Sequence, residues 1–239
     1  MKSGFGNTKG HSPPLNSRAK PLKRPSQARA IFTVEAIYEA FVRIWQRDGW
    51  SGLTTREVAL EAGVAIGTLY DYFPSKEALL SGYIRHRLDV LLAQMDQDVI
   101  QPTDLDWQTR IKRLVCLTCD PDDARQPLFN HAVSLIEHQI AEPKHHRRVY
   151  EELSQKWREA FAACRDLPMQ PSAPTIEAWV IMAWGGRRYC VTAQPAAEQT
   201  AAWLLEMETM ICSRLSSASQ DKALANEHQA FLCCSTHCP

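Results

Sequence analysis

Helical periodicity runs through the chain, and no useful stretch alternates apolar and polar residues as a half-buried strand does. From residue 31, apolar residues recur at steps of three and four, which places them on one side of a helix: Ile31, Val34, Tyr38, Phe41 and Trp45, widened by Ile37 and Ile44. Further helices are predicted at about 107–118, 126–141, 144–165, 174–192 and 195–216, between breaks at Pro, Asp or Gly. The chain is therefore predicted to be all-α.

The stretch from Thr54 to Leu80 contains more helix-capping and helix-terminating residues than the rest of the chain. Thr54 precedes Glu57 by three residues, which predicts a capping box in which the hydroxyl and the carboxylate each accept a backbone N–H. Gly63 ends this short helix, and a second short helix fits residues 65–73. Ser75 then caps a longer helix that is predicted to run to about residue 98.

Two short helices joined by a tight turn have the size of a helix-turn-helix. The second helix of that motif lies in the DNA major groove with its N-terminal residues at the base edges. The first turn of this second helix consists mostly of small residues here, which lets its backbone approach DNA. Leu69 and Phe73 are predicted to anchor its other side in the core. The alternative interpretation of this spacing is three small core helices whose aromatic residues only fill the core.

Charge is unevenly distributed along a chain whose net charge is zero. Residues 1–29 contain no acid and the following basic residues: Lys2, Lys9, Arg18, Lys20, Lys23, Arg24 and Arg29. A basic arm ahead of a neutral-to-acidic body is typical of a nucleic-acid binder with a separate regulatory half. A solvated basic tail would have the same composition.

Several function classes are disfavoured. The N-terminus has no apolar signal region, and no run approaches the 18 apolar residues of a membrane span. The eight cysteines are accordingly predicted to be reduced thiols in a cytoplasmic protein. No phosphate loop, nucleophile elbow or HExxH motif is present, so no enzymatic activity is predicted.

Residues 29–80 resemble the DNA-binding domain of TetR-type bacterial transcriptional regulators, most specifically in "GTLYDYFPSKEAL" behind the Gly63-Val64 turn. Composition predicts a flexible basic arm (1–25) and a polar C-terminal tail (217–239), which is a short helix or a frayed end. Between them, the resemblance implies a three-helix helix-turn-helix DNA-binding domain (26–75) and a helical effector-binding and dimerisation domain (76–216). It also implies a homodimer on a palindromic operator in double-stranded DNA, with recognition helices roughly 34–36 Å apart.

The family's usual DNA contacts fall on Thr55, Arg56, Ala65, Ile66, Gly67, Thr68, Tyr70, Asp71, Tyr72 and Lys76. The resemblance suggests phosphate contacts for Tyr70 and Lys76 and base contacts for Ile66 and Thr68, with thymine methyl groups suiting Ile66. Ala65 and Ile66 depart from the hydroxyl and basic residues that the family often has there. Asp71 is predicted to accept from a cytosine amino group or to point away from DNA, because a phosphate would repel it.

A small-molecule effector is the second implied partner. Such a molecule changes the spacing of the two DNA-binding domains by binding one conformational state more tightly than the other. It can weaken operator binding only by that difference in affinity. The aromatic content of the C-terminal half suits an apolar or aromatic effector, with candidate residues Trp107, Phe129, His131, His138, Trp157 and Trp184. Ordinary helix core is the commoner role for each of these aromatic residues individually.

The last two long helices are predicted to form a four-helix dimer bundle, where Gly185-Gly186 suits either close backbone approach or a kink. Cys116-x2-Cys119 and the cluster Cys233, Cys234, His237 and Cys238 resemble zinc half-sites but lack a partner CxxC at a finger-like distance. No metal or cofactor is predicted. The predicted function is a ligand-responsive transcriptional repressor. A metal- or thiol-redox-responsive regulator and an effector-free DNA-binding protein are the alternatives.

Overall fold

The computed structural model describes residues 21–22, 28–120, 133, 136 and 140–234, and only the backbone for 218–234. These residues form helices joined by turns and contain no strand, which confirms the all-α prediction. The helices are α1 (Ala28–Gly52), α2 (Thr55–Glu61), α3 (Ile66–Tyr72), α4 (Lys76–Met95), α5 (Trp107–Cys119), α6 (Pro143–Ala162), α7 (Ala173–Ala193) and α8 (Ala197–Cys234). The helix predicted at 126–141 lies mostly outside the described residues.

The chain divides into two compact units, Met1–Arg85 and His86–Pro239, and the division falls inside α4. The boundary predicted after residue 75 lies earlier, ahead of α4. The beginning of α4 shares the first unit's aromatic core, since the Tyr83 ring lies 5.6 Å from both Tyr38 and Phe41.

The core of the first unit forms around the apolar side of α1. Val34, Ile37, Phe41 and Ile44 are all buried, as the periodicity predicts. Ile31 is an exception, because it lies at the beginning of α1 and is 41% exposed. The helix bends at Gly49, whose φ of 68° is in the left-handed region that glycine tolerates.

The second unit is built around α5, which packs against α6, α7 and α8. Its N-terminus is capped by Asp106, whose carboxylate accepts the Thr109 N–H at 2.8 Å. The buried Arg110 of α5 donates to the carbonyls of Val99, Ile100 and Pro102, which hold the turn between α4 and α5 against the core. One short π-helical stretch, Asp96–Ile100, continues α4.

The end of the last helix in the second unit differs from expectation. The helix predicted to end near residue 216 continues as α8 to Cys234, so the segment taken for a short helix or frayed tail has a helical backbone up to that point.

Within the described residues, none of the helices has both the length and the apolar character needed to cross a membrane.

Candidate nucleic-acid interface

The turn between α2 and α3 is fixed by caps at both ends of α2. The Thr54 hydroxyl accepts the Glu57 N–H at 3.2 Å, as predicted. The Glu57 carboxylate accepts the proton of the Thr54 hydroxyl at 2.8 Å, a side-chain contact in addition to that backbone cap. Gly63 follows with φ 67°, and its N–H donates to the Leu60 carbonyl at 3.1 Å. These bonds set the direction in which α3 leaves the turn.

Helix α3 has one buried and one open side. Leu69 and Phe73 are buried in the core of the first unit, as predicted, and the Phe73 ring lies 5.5 Å from Tyr38. Ala65, Gly67 and Asp71 are exposed, and a methyl group at Gly67 would meet no atom within 4 Å. The beginning of α3 is therefore an open surface of small residues, without a side-chain cap at Ala65.

Predicted contact residues on the two helices meet in one hydrogen bond. The hydroxyls of Thr55 on α2 and Tyr70 on α3 lie 3.1 Å apart. Tyr70 is 46% exposed and Ile66 is 40% exposed, so Ile66 presents apolar surface to solvent and Tyr70 presents its aromatic ring. The bond orients the Tyr70 ring and brings the two helices into one continuous surface.

Lys76 lies against its own chain in this structure. Its ammonium group donates to the Trp50 carbonyl at 3.0 Å and lies 4.7 Å from the centroid of the Trp50 ring. A cation–π contact and a hydrogen bond both hold the charge in place. The pairing connects the beginning of α4 to the end of α1, so Lys76 has a structural role whatever it binds.

Arg56 is the other cation among the predicted contact residues. It is exposed on α2 and forms no ion pair within the described part of the chain. Arg43 and Arg47 differ, because Arg43 pairs with Glu61 at 2.9 Å and Arg47 with Asp48 at 2.8 Å. Arg56 is thus the cation on this surface whose side chain is available to a phosphate.

Two contributors to this surface were not predicted. The first is Trp50, which contacts Lys76. No spacing pattern in the sequence predicts a contact between an aromatic ring and a lysine many residues later. Leu22 is the second, because its N–H donates to the carbonyl of Tyr72 at 2.7 Å. A backbone bond between such distant positions is set by tertiary structure alone. The residues that precede Pro21 lie outside the described residues, as do Lys23 and Arg24.

The effector candidates fall into two groups. Phe129, His131 and His138 lie outside the described residues. Trp107 and Trp157 are buried, and the Trp157 indole N–H donates to the Thr118 hydroxyl at 3.2 Å. Those two tryptophans therefore pack as core residues of the second unit.

Trp184 is only partly buried, and its ring lies 5.5 Å from the guanidinium carbon of Arg187. The buried Arg187 donates to the Leu117 and Thr118 carbonyls at 3.5 and 3.4 Å, near the end of α5. A cation there complements the negative end of the helix dipole. The Ser154 hydroxyl, in the same unit, is buried without a hydrogen-bond partner among the described residues.

The two glycines of α7 have different surroundings. A methyl group at Gly186 would lie 2.3 Å from the Trp203 ring of α8, whereas one at Gly185 would meet no atom within 4 Å. The close approach at Gly186 is therefore to a side chain of the same chain, since Trp203 occupies the space that a larger residue would need. Gly185 lies on the open side of the helix.

The cysteines differ in accessibility. Cys116 is exposed, whereas Cys119 is buried, and burial raises the pKa of the Cys119 thiol to about 12. Burial also raises the pKa of Cys164, to about 11. Among residues with described side chains, no group of three or more His, Cys, Asp or Glu residues could hold a metal ion. The cysteine-rich end of the chain lies beyond those side chains.

Comparison with known proteins agrees with this geometry. Residues 37–82 match the family model described as bacterial regulatory proteins, tetR family. The HTH-type transcriptional repressor DrrR1 of Streptomyces coeruleorubidus is 33% identical over 84 residues, which are 35% of this chain and 28% of that protein. The chain thus matches less than a third of the length of this relative.

Solved structures extend the likeness in fold to the second unit. A TetR-family regulator from Mesorhizobium loti has a TM-score of 0.59 at 14% identity, covering 80% of this chain and 98% of its own. A transcriptional regulator from Saccharomonospora viridis in complex with choline has a TM-score of 0.55 at 17% identity, covering 77% and 96% of the two chains. Residues 37–82 are thus similar to the tetR family of bacterial regulatory proteins, and the fold of the chain is similar to that of solved TetR-family structures.

Proposed function

We propose that the protein is a ligand-responsive transcriptional repressor that binds a palindromic operator as a homodimer and releases it when a small molecule binds. The observation that carries the proposal is the open face of α3, held in place by its buried side and by the Thr55–Tyr70 bond. A helix presented in this way fits the major groove with its first turn at the bases.

The contact residues have distinct proposed roles. Arg56 and Tyr70 bind phosphates, because Arg56 is an exposed cation with no ion pair among the described residues and Tyr70 carries an oriented hydroxyl. Ile66 and Thr68 meet base edges, with Ile66 against a thymine methyl group. Ala65 and Gly67 bring the backbone close to DNA, and Asp71 accepts from a cytosine amino group.

Tyr72 and Lys76 lie at the far end of this surface. The Tyr72 carbonyl already accepts a backbone bond, and the Lys76 ammonium lies on Trp50, so any phosphate contact by Lys76 competes with that pairing. We therefore assign the larger share of phosphate binding to Arg56 and Tyr70.

A homodimer would cover an exposed apolar face of the second unit. On α7, Ile181, Met182 and Tyr189 are exposed on the same side as Gly185, and on α8 Leu205 is 62% exposed. Contiguous exposed apolar surface of this kind marks interaction sites. Sedimentation of the wild type and of Ile181→Lys with Leu205→Lys tests this assignment. A dimer unaffected by both charges would contradict it.

The effector is proposed to enter the second unit. The Saccharomonospora viridis neighbour was solved with choline, which supports a small-molecule site in a protein of this fold. Trp184 is the described aromatic candidate that is not fully buried, so it is the tryptophan best placed to contact an effector. Trp107 and Trp157 would support such a site as buried core residues without contacting the effector.

A mobility-shift titration on DNA upstream of the protein's own gene tests operator binding. Arg56→Gln removes one phosphate contact, so the slope of log K against log salt should fall by about 0.9 for each such contact. Ile66→Ala should cost about 1–3 kcal/mol at its base position and relax the preference there. Tyr70→Phe keeps the ring and removes only the hydroxyl.

Arg147→Gln is the matched control, because Arg147 is exposed in the second unit and carries no ion pair in the described structure. It should leave the salt slope unchanged. If Arg56→Gln and Ile66→Ala bind the same DNA as tightly as the control does, the assignment of α2 and α3 to DNA is wrong.

A further inference from the structure

Thr55 and Tyr70 share a hydrogen bond across the turn between α2 and α3. Their hydroxyl oxygens lie 3.1 Å apart, and either oxygen can be the donor. Thr55 is the first residue of α2, whereas Tyr70 lies near the end of α3. The bond therefore joins the beginning of one helix to an exposed side chain of the other.

The direction of this bond depends on what else Tyr70 binds. Each hydroxyl has one proton to donate and two lone pairs that accept. The phosphate oxygens of DNA are acceptors, so a Tyr70 that binds a phosphate gives its only proton to that phosphate. Its oxygen must then be the acceptor of the bond to Thr55. In the DNA complex, Thr55 is accordingly the donor, and its own proton is used by Tyr70.

Exposure favours Tyr70 over Thr55 as the group that meets DNA directly. Tyr70 is exposed and its ring carries the hydroxyl away from the backbone, whereas Thr55 is half-buried. Ile66, which is also exposed, precedes Tyr70 by four residues and thus lies on the same side of α3, about 6 Å away along the helix axis. A phosphate bound by Tyr70 would therefore lie close to the base proposed to contact Ile66.

The bond also affects how well Tyr70 can donate. Hydrogen bonds in a chain polarise one another, so a hydroxyl that accepts a bond donates more strongly. Thr55 is β-branched and has a restricted χ1, so the position of its hydroxyl is well defined. With one lone pair of Tyr70 occupied from a fixed direction, the phenolic proton has fewer orientations available. Both effects strengthen the same outward bond.

We propose that Thr55 is a positioning residue that donates to the Tyr70 oxygen and directs the Tyr70 proton toward a DNA phosphate. This inference rests on the proposed DNA-binding function and gives Thr55 an indirect role, because its proton is not available to a phosphate. The pair is uncharged, so it contributes affinity without neutralising a phosphate and without adding salt dependence.

The test is a double-mutant cycle in the full-length protein, on a duplex that the wild type selects from a random-sequence library. Thr55→Val keeps the branched shape and removes the hydroxyl, and Tyr70→Phe keeps the ring and removes its hydroxyl. At one salt concentration, Tyr70→Phe should weaken binding about tenfold or more, as expected for a bond to a charged group. Thr55→Val should weaken it by a smaller factor, because the phenol can still donate.

The double variant should bind no more weakly than Tyr70→Phe, because Thr55 acts through a hydroxyl that is already absent. A role of Thr55 in folding alone would give the same loss in both backgrounds. Thr55→Ser returns the hydroxyl and should recover most of the affinity. The slope of log K against log salt should be unchanged in these variants, whereas Arg56→Gln should make it shallower.

Thr109→Val is the matched control, because it removes a threonine hydroxyl that donates to the Asp106 carboxylate in the second unit. It should bind DNA as the wild type does. Circular dichroism melts check that each variant folds.

Additive losses in the double variant would overturn the inference, because Thr55 would then act independently of Tyr70. Equal binding by Thr55→Val and the wild type would also overturn it. A wild type that selects no duplex would instead overturn the proposed function itself. If Ile66→Ala relaxes the base preference while the cycle shows no coupling, the proposed function is supported and this inference alone fails.

Discussion

The two units of this chain are organised by contacts of different range. In the first, the cap that begins α2 is local, as in the Thr54–Glu57 contact, although Leu22 and Trp50 reach this surface from elsewhere in the sequence. In the second, Trp157 reaches Thr118 and Arg187 reaches the end of α5 across much longer separations. Local contacts follow motif rules, whereas distant ones follow from packing. The caps and the buried side of α3 could therefore be predicted from sequence, whereas the contacts of Trp50 and Leu22 and the burial of Trp107 and Trp157 could not.

The two units also differ in how they hold charge. The first keeps Arg43 and Arg47 in exposed ion pairs, which contribute little to stability. The second buries Arg110 and Arg187 against backbone carbonyls. Removing a buried group of this kind leaves its partners unsatisfied and costs more than breaking a surface pair. Core substitutions in the second unit should accordingly have the larger effects on unfolding.

The largest effect is expected at Trp157. Trp157→Ala removes a fully buried indole and should lower the free energy of unfolding by about 3–5 kcal/mol, measured by urea titration. Trp157→Phe retains much of the ring and should cost less, chiefly through the lost bond to Thr118. A stable Trp157→Ala protein that no longer responds to effector would show that Trp157 lines the ligand site instead.

Gly186 should show an intermediate effect. Gly186→Ala places a methyl group 2.3 Å from the Trp203 ring, and such overpacking typically costs about 1–3 kcal/mol. Gly185→Ala is the matched control, because its methyl group meets no atom of the same chain within 4 Å and alanine favours the helix by about 0.5–1 kcal/mol. Thermal unfolding of both variants should therefore shift in opposite directions. Equal shifts would contradict the placement of Trp203.

Helix caps allow a like-for-like comparison between the units. Thr54→Ala should destabilise α2 by about 1 kcal/mol, and Ser172→Ala should do the same to α7, because each removes a hydroxyl that accepts a backbone N–H. Amide hydrogen exchange resolves the two effects by peptide. Faster exchange confined to residues 55–61 in Thr54→Ala is expected. Loss of protection throughout α7 in that variant would contradict local capping.

The smallest effect at neutral pH is expected from Cys119. Burial raises its pKa in the folded protein from 9.0 to about 12, with Arg187 acting in the opposite direction. Below pH 9 the thiol is protonated in both states, and above it the unfolded chain loses the proton first. Stability should therefore fall between about pH 9 and 12, by at most about 1.4 kcal/mol per pH unit.

Comparison with Cys119→Ala isolates this contribution from the titration of other groups. The difference in unfolding free energy between the wild type and the variant should be constant below pH 9 and should change above it. A difference that stays constant up to pH 11 would show that Cys119 is accessible to solvent in the folded state.

Sequence alone determined the helical class, the order of the helices and the surface of α3. Apolar spacing, Gly63 and the caps at Thr54 and Ser75 are all local, so their consequences follow without knowledge of distant parts. The predicted capping carboxylate differed in detail, because the Thr54 hydroxyl donates to Glu57 while it accepts the backbone bond. A hydroxyl oxygen can accept a backbone N–H while its own proton is donated to a carboxylate, so both contacts form at once.

Tertiary structure decided where distant residues meet. It placed Lys76 on Trp50, Trp203 over Gly186 and Leu22 against the end of α3, and it buried Trp107 and Trp157 in the core. None of these pairings has a periodic or motif signal, because each depends on how separate segments pack. Aromatic composition suits a core and a ligand site equally, and only burial distinguishes the two.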